Sequence, residues 1–143
     1  MTINQLSVFV ENSPGRLAEI TEILGEENID LRAMSIADTS EFGILRVIVD
    51  EPEKAQAVLR EAGCAVSVTP VLAVEIEDTP GSLAKIIRVL AEADVSVEYI
   101  YAYITRKENN AYVIFKVEDI PAAEAIFERN GINTASAEEI YEI

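Results

Sequence analysis

The chain has 143 residues, half of them hydrophobic, with 11 Lys and Arg against 26 Asp and Glu and a formal charge of −15. This length suits one medium domain or two small ones, and the apolar content excludes a disordered chain. So acidic a protein repels nucleic acids and anionic membrane surfaces, so we expect neither as a partner. The absence of histidine removes the commonest general base and the commonest transition-metal ligand.

The sequence carries no sign of export. Its first residues, MTINQLSVFV, lack the basic region and long apolar run of a secretory signal, and no apolar stretch is long enough to span a membrane. A single cysteine, Cys64, excludes an internal disulfide framework. We therefore expect a cytoplasmic protein in which Cys64 is a buried, unreactive thiol at the start of a strand.

The first elements are a strand, a turn and a helix. Apolar residues alternate from Leu6 to Val10, which predicts a strand, and they follow helical spacing from Leu17 to Leu24. Ser13 between them is a predicted N-cap, with Pro14 at the first helical position. The runs IDLRAMSIA and ILRVIVD predict two more strands, EPEKAQAVLREAG predicts a helix that ends at a glycine, and a strand follows.

The same plan then repeats. VENSPGRLAEITEIL at residues 10–24 aligns with IEDTPGSLAKIIRVL at residues 76–90, and extending the alignment to residue 97 gives 8 identities in 22 positions. Thr79 takes the place of Ser13 as a predicted N-cap. Further along, the second copy carries two extra residues in the turn TRKENNA, where insertions are tolerated.

The order strand-helix-strand-strand-helix-strand therefore occurs twice. The predicted fold class is α+β: two ferredoxin-like βαββαβ modules in tandem, each an antiparallel sheet with helices on one face. Only Pro70 marks the join, without a Gly/Ser linker. We expect the first module at residues 1–69 and the second at residues 70–143.

Each Pro-Gly turn has two interpretations. A helix N-terminus offers unpaired N–H groups and the positive end of the helix dipole, and glycine leaves room for a carboxylate to approach. With Asn12 or Asp78 beside it, such a turn suits a small zwitterion. Helix capping and chain reversal explain the same residues, so both interpretations stay open at this point.

The pieces NSPGxLxxI and DTPGSLxxI, followed by ENIDL and ADVSV, strongly resemble the ACT domain, in both halves and over nearly the whole chain. The resemblance implies ferredoxin-like regulatory modules that bind amino acids and alter an attached or associated enzyme. ACT domains commonly pair, with the ligand between the first strand-to-helix loop of one module and the second-strand region of its neighbour.

The resemblance also implies a set of site residues. Asn12 and Asp78 match the position that holds the ligand's amino or carboxyl group, Gly15 and Gly81 match the close-approach glycine, and Asp30 and Ser96 match a polar contact near the second strand. The predicted ligand-binding residues are Asn12, Ser13, Gly15, Asp30, Asp78, Thr79, Gly81 and Ser96. Because the copies differ at the polar positions, we do not expect two equivalent sites, and an empty site in one copy stays an open alternative. The apolar neighbours Val10, Ile29, Ile76 and Val95 favour a hydrophobic amino acid.

A row of tyrosines predicts an interface. Tyr99, Tyr101 and Tyr103 alternate with the apolar residues 100, 102 and 104, so both faces of this strand are apolar. The sheet face without helices is then expected to be covered, by the other half or by a second subunit. We expect a homodimer.

The expected function is regulation without catalysis: a free amino acid binds, and a partner enzyme in trans responds. The alternatives are a regulatory small subunit of an amino-acid biosynthetic enzyme, an acylphosphatase-like hydrolase on the same fold, and a purely structural dimerisation module. The hydrolase is disfavoured because Arg16 in the first loop becomes Ser82 in the second and no nucleophile motif is present. We expect no catalytic residues, no cofactor and no metal site.

Overall fold

The computed structural model describes residues 1–38, 41–103 and 109–142. They divide into two compact units: an N-terminal unit, Asn4–Thr69, and a C-terminal unit, Met1–Ile3 with Pro70–Ile143. The elements are β1 (Ile3–Glu11), α1 (Arg16–Glu26), β2 (Leu31–Asp38), β3 (Phe42–Val49), α2 (Pro52–Glu61), β4 (Val66–Glu77), α3 (Ser82–Glu92), β5 (Val97–Tyr103), β6 (Asn110–Val117), α4 (Ile120–Arg129), β7 (Thr134–Ala135) and α5 (Ala137–Glu142).

In the N-terminal unit, β3 lies between β1 and β2 and pairs antiparallel with both. On the other side of β1, the Phe9 N–H donates to the Ala65 carbonyl at 3.0 Å, just before β4 begins. One face of these strands forms a core with α1 and α2, since apolar residues recur at strand and helix spacing. Its fully buried members include Leu6, Val8, Ile20, Leu24, Val47 and Leu59.

The C-terminal unit repeats this arrangement. Its strand order is β5-β6-β4-β7, and every pairing is antiparallel. The core again lies between one sheet face and two helices, α3 and α4, and it contains Leu72, Val74, Leu90, Phe115 and Phe127. The rings of Phe115 and Phe127 meet edge to face, with centroids 6.1 Å apart. The predicted α+β content and antiparallel pairing are confirmed.

The tyrosine row lies on the opposite face of this second sheet. Tyr101 and Tyr103 are buried, at 9% and 4% exposure, as predicted for a covered face. The hydroxyl of Tyr103 donates to the carbonyl of Ile140, which is fully buried in α5. A helix of the same unit therefore covers part of this face. Residue 104 and most of the predicted TRKENNA turn, residues 105–108, lie outside the described residues.

The predicted N-caps are wrong. Ser13 and Thr79 lie before the helices, which begin at Arg16 and Ser82, and the N-cap position is taken by the intervening glycine in each turn, without a side-chain cap. The proline therefore precedes the helix instead of opening it. Cys64 is buried as predicted, but β4 begins two residues after it.

Candidate functional site

The first Pro-Gly turn joins β1 to α1. The Arg16 N–H donates to the Ser13 carbonyl at 3.3 Å, which closes a four-residue turn with Pro14 second and Gly15 third. Gly15 has φ 86° and ψ −11°, the values of the third residue of a type II β-turn. Because this φ is positive, the backbone conformation favours glycine. An added Cβ at Gly15 would meet no atom within 4 Å, so the space beside the turn is open.

The second turn, between β4 and α3, has the same geometry. The Ser82 N–H donates to the Thr79 carbonyl at 3.2 Å, and Gly81 has φ 88° and ψ −9°. This turn has one additional contact, because the hydroxyls of Thr79 and Ser82 lie 2.7 Å apart in a hydrogen bond. The two copies therefore share the backbone of the turn and differ in its side chains.

The residue that enters each turn is anchored through its backbone. The Asn12 N–H donates to the Glu41 carbonyl at 3.3 Å, and the Asp78 N–H donates to the Asn109 carbonyl at 2.9 Å. Both side chains are exposed. Each turn thus begins with an exposed amide or carboxylate side chain on a backbone that is held in place.

Asp30 lies far from the first turn within its unit. Val10 pairs with Gly43 at one end of β3, whereas Leu31 pairs with Val49 near the other. These rows are six residue steps apart along β3, which is about 20 Å at the usual strand rise. Asp30 accepts a hydrogen bond from Arg32 Nη1 at 2.9 Å.

Ser96 has the corresponding place in the C-terminal unit. Its carbonyl accepts the Glu118 N–H at 3.2 Å, at the end of β6 remote from Asp78. Neither unit by itself therefore brings its second-strand residue to its Pro-Gly turn.

A cleft that sequence reasoning missed opens next to the second turn. We call it the β4–α3 cleft; it has a volume of about 580 Å³ and lies wholly within the C-terminal unit. Its polar lining includes Glu75, Glu77, Ser82, Lys85 and Asn110. The signal in the sequence was the change from Arg16 to Ser82 between copies, which exchanges a long side chain for a short one.

Metal-ligand clusters and membrane-spanning helices are both absent from the described residues. In the ranges 1–38, 41–103 and 109–142, no three acidic or cysteine side chains are grouped to hold a metal ion. In the same ranges, no helix combines the length and apolar character needed to cross a membrane.

The family is decided by a match that extends over the whole chain. Residues 1–143 match the family model described as the ACT domain pair. The chain belongs to this family. The resemblance predicted from NSPG and DTPG is therefore confirmed, and the two turns are the repeated β-to-α loops of an ACT domain pair.

Solved structures similar to this ACT domain pair include a protein of Bacteroides thetaiotaomicron, which is 36% identical with a TM-score of 0.93, covering 100% of this chain and 98% of that one. The regulatory subunit of aspartate kinase from Thermus thermophilus has a TM-score of 0.64 at 20% identity, over 88% and 91% of the two chains. The Thermus flavus subunit has a TM-score of 0.60 at 20% identity, over 88% and 90%. The curated proteins give no match.

Proposed function

We propose that this ACT domain pair is a cytoplasmic, non-catalytic regulator that binds a free amino acid at its Pro-Gly turns and alters a partner enzyme in trans. The observation that carries the proposal is the duplication of one turn geometry, down to a left-handed glycine with φ 86° in one copy and 88° in the other. The helix N-terminus suits the ligand's carboxylate. The side chain of Asn12 or Asp78 suits its ammonium group.

The two turns are expected to differ in affinity. Asp78 offers a full negative charge to an ammonium group, whereas Asn12 offers an amide oxygen, and hydrogen bonds to charged groups are the stronger ones. Ile76, partly buried in the core next to the second turn, favours an apolar ligand side chain. We accordingly propose the second turn as the tighter site and a hydrophobic amino acid as the ligand.

The test is thermal unfolding in the presence of each of the twenty amino acids in turn. A ligand that binds only the native state stabilises it by about 2.7 kcal/mol at one hundred times its dissociation constant. We expect one amino acid to raise the midpoint, and Asp78→Ala to reduce that rise more than Asn12→Ala. Glu22→Ala is the matched control, since it removes one negative charge from an exposed position of α1. If no amino acid raises the midpoint, the proposal is overturned.

To alter an enzyme, this chain must associate with it, and two of the similar structures come from proteins that are named as subunits of an enzyme. The two Thermus chains named above are regulatory subunits of aspartate kinase. We propose that this chain acts in the same manner, as two ferredoxin-like modules divided near Thr69 and Pro70 that associate with a separate enzyme.

We also propose a homodimer formed through the N-terminal unit. Phe9 and Phe42 are exposed by 48% and 40%, and their ring centroids are 5.7 Å apart on the sheet face away from the helices. Exposed apolar patches mark interaction surfaces. Phe9→Glu should therefore raise the dimer dissociation constant about tenfold or more in sedimentation equilibrium.

Ile36→Glu is the matched control for this test. Ile36 is exposed by 51% on the same sheet, but its pairing with Leu45 places it on the opposite face. A monomeric parent protein would contradict the proposal, and so would equal weakening by both variants.

A further inference from the structure

We propose that two copies of this chain associate through their helices, with α1 of each copy packed antiparallel along α3 of the other. The contact uses exposed faces of the two helices, whereas the homodimer proposed above uses the sheet face of the N-terminal unit. It also includes no residue of the Pro-Gly turns. The helix contact is therefore independent of both the amino-acid site and the sheet-face homodimer.

The two helices are equivalent in the repeat, with 11 residues each, but they differ in charge. Two glutamates of α1 correspond to basic residues of α3: Glu19 to Lys85 and Glu22 to Arg88. Among the helices that the structure describes, α3 alone has more basic than acidic residues, two against one, whereas α1 has one against three. Since the whole chain has a formal charge of −15, two copies repel each other over most of their surface, and α3 is where an acidic helix is attracted.

The exposed face of α3 forms an apolar groove of about 440 Å³, which we call the α3 groove. Its lining comes from this helix alone and consists of Leu83, Ala84, Ile87, Arg88 and Ala91. Arg88 is exposed, and it forms no ion pair within residues 1–38, 41–103 and 109–142. An exposed cation in an apolar groove fits a helix that brings apolar side chains and one carboxylate.

The equivalent positions of α1 supply such a helix, and we call them the α1 face. They are all exposed, and they are Leu17, Ala18, Thr21, Glu22 and Gly25. Leu17 is 39% exposed, which is unusual for so large an apolar residue. The Thr21 hydroxyl is a donor to the Leu17 and Ala18 carbonyls, at 3.0 Å from each, so it needs no partner outside the helix. The α1 face is therefore apolar apart from Glu22, which forms no ion pair among the described residues.

Small residues allow the two faces to approach closely. If Glu22 lies beside Arg88 in an antiparallel pair, the residues that meet toward either end are small, because both helices rise by about 1.5 Å per residue. These small pairs are Ala18 with Ala91 and Gly25 with Ala84. The helix axes then come to the lower end of the usual separation of about 8–10 Å.

The large residues decide the direction of the pair. In a parallel pair with Glu22 beside Arg88, Leu17 would meet Leu83 and hold the axes apart. The antiparallel pair places these leucines at opposite ends and also sets the two helix dipoles in opposite directions. Two-fold symmetry makes the contact twice, since α1 of the second copy then lies on α3 of the first.

Disulfide cross-linking between two different copies tests the contact. One copy carries Ala18→Cys and the other, labelled with nitrogen-15, carries Ala91→Cys, so a disulfide between these positions forms only across two chains. We expect mild oxidation to link them, because a disulfide joins residues whose Cα atoms are about 4.4–6.8 Å apart. Mass spectrometry identifies the linked pair, and the parent chain, whose Cys64 is buried, gives the background.

Ala84→Cys is the matched control for Ala91→Cys, since both alanines are exposed on α3. It moves the thiol by two turns, about 10 Å along the helix. Linkage to Ala18→Cys should therefore be about fivefold slower or less. If Ala84→Cys links as fast as Ala91→Cys, or if neither links above the background, the proposed contact is wrong.

Charge reversal provides the second test, with the same cysteine pair as readout. Glu22→Arg or Arg88→Glu, made in both copies, places like charges together at two symmetric contacts and should slow linkage about tenfold or more. The double variant restores opposite charges and should return the rate to within about threefold of the parent pair. A double variant that links as slowly as the single variants would overturn the inference.

Glu61→Arg and Arg129→Glu are the controls, because they make the same changes of charge at exposed positions of α2 and α4. They should leave the rate of linkage as in the parent pair, and equal slowing by these controls would contradict the helix contact. The Glu22→Arg variant should keep the parent's amino-acid response, measured against its own midpoint without ligand. If no amino acid raises the midpoint while the cysteine pair links as expected, the proposed function fails and the helix contact stands.

Discussion

Phe127→Ala is expected to destabilise the protein by about 3–5 kcal/mol, the largest effect that we predict for one substitution. Phe127 is 1% exposed and Phe115 is fully buried. Removing one ring takes apolar surface out of the core, leaves a cavity, and ends an edge-to-face contact worth about 0.5–1.5 kcal/mol by itself. Urea denaturation monitored by circular dichroism measures the loss.

Phe127→Leu is the matched control, because the repeat places Leu59 at the equivalent position of the N-terminal core. Leucine fills part of the space and keeps the site apolar, so we expect a loss of about 1–2 kcal/mol. A Phe127→Ala variant within about 1 kcal/mol of the parent would mean that the core relaxes around the cavity. The close packing described for this unit would then be wrong.

The elements that the sequence predicted well are those with a strong repeating pattern. Apolar residues at strand spacing in β1 and at helical spacing in α1 and α3 fix which face is buried, and the duplication confirms each assignment independently. Element α5 has six residues and β7 has two, which is too short for periodicity to indicate where they pack. Contacts such as the one from Tyr103 to Ile140 therefore became visible only in the structure.

The turns show why local residue preferences misled the assignment of the N-caps. Ser-Pro and Thr-Pro before a helix are typical of an N-cap followed by the first helical residue. The same letters with glycine next are typical of a type II turn, whose third residue has a positive φ. Gly15 and Gly81 cannot be part of an α-helix in that conformation, so each helix starts at the residue after the glycine, Arg16 or Ser82.

The candidate site was predictable only in part. The loop residues, from Asn12 to Gly15 and from Asp78 to Gly81, follow from the motif, and the two loops share one turn geometry. The space that Arg16 fills in the N-terminal unit depends on its reach to Cys64, 48 residues further along. A single sequence indicates that residue 82 is small but does not indicate which space this opens.

Gly15→Ala and Gly81→Ala are each expected to cost about 1–2 kcal/mol, and the double variant about 2–4 kcal/mol, because an L side chain is strained at positive φ. The space around an added Cβ is open at both positions, so sterics from neighbours add nothing. Gly25→Ala is the control: Gly25 lies in α1, where an added Cβ also meets nothing within 4 Å. There alanine should stabilise the protein by about 0.5–1 kcal/mol.

Asparagine at Gly81 distinguishes backbone strain from blocked space. Asn adopts the left-handed region more readily than Ala although it is larger, so Gly81→Asn should be more stable than Gly81→Ala in the same urea titration. If Gly81→Asn were less stable than Gly81→Ala, the larger side chain would be meeting other atoms beside the turn, and the space there would not be open. If Gly81→Asn retains the stability and loses the amino-acid response, the open space beside this glycine is where the ligand approaches, because the turn is then preserved and only its access has changed.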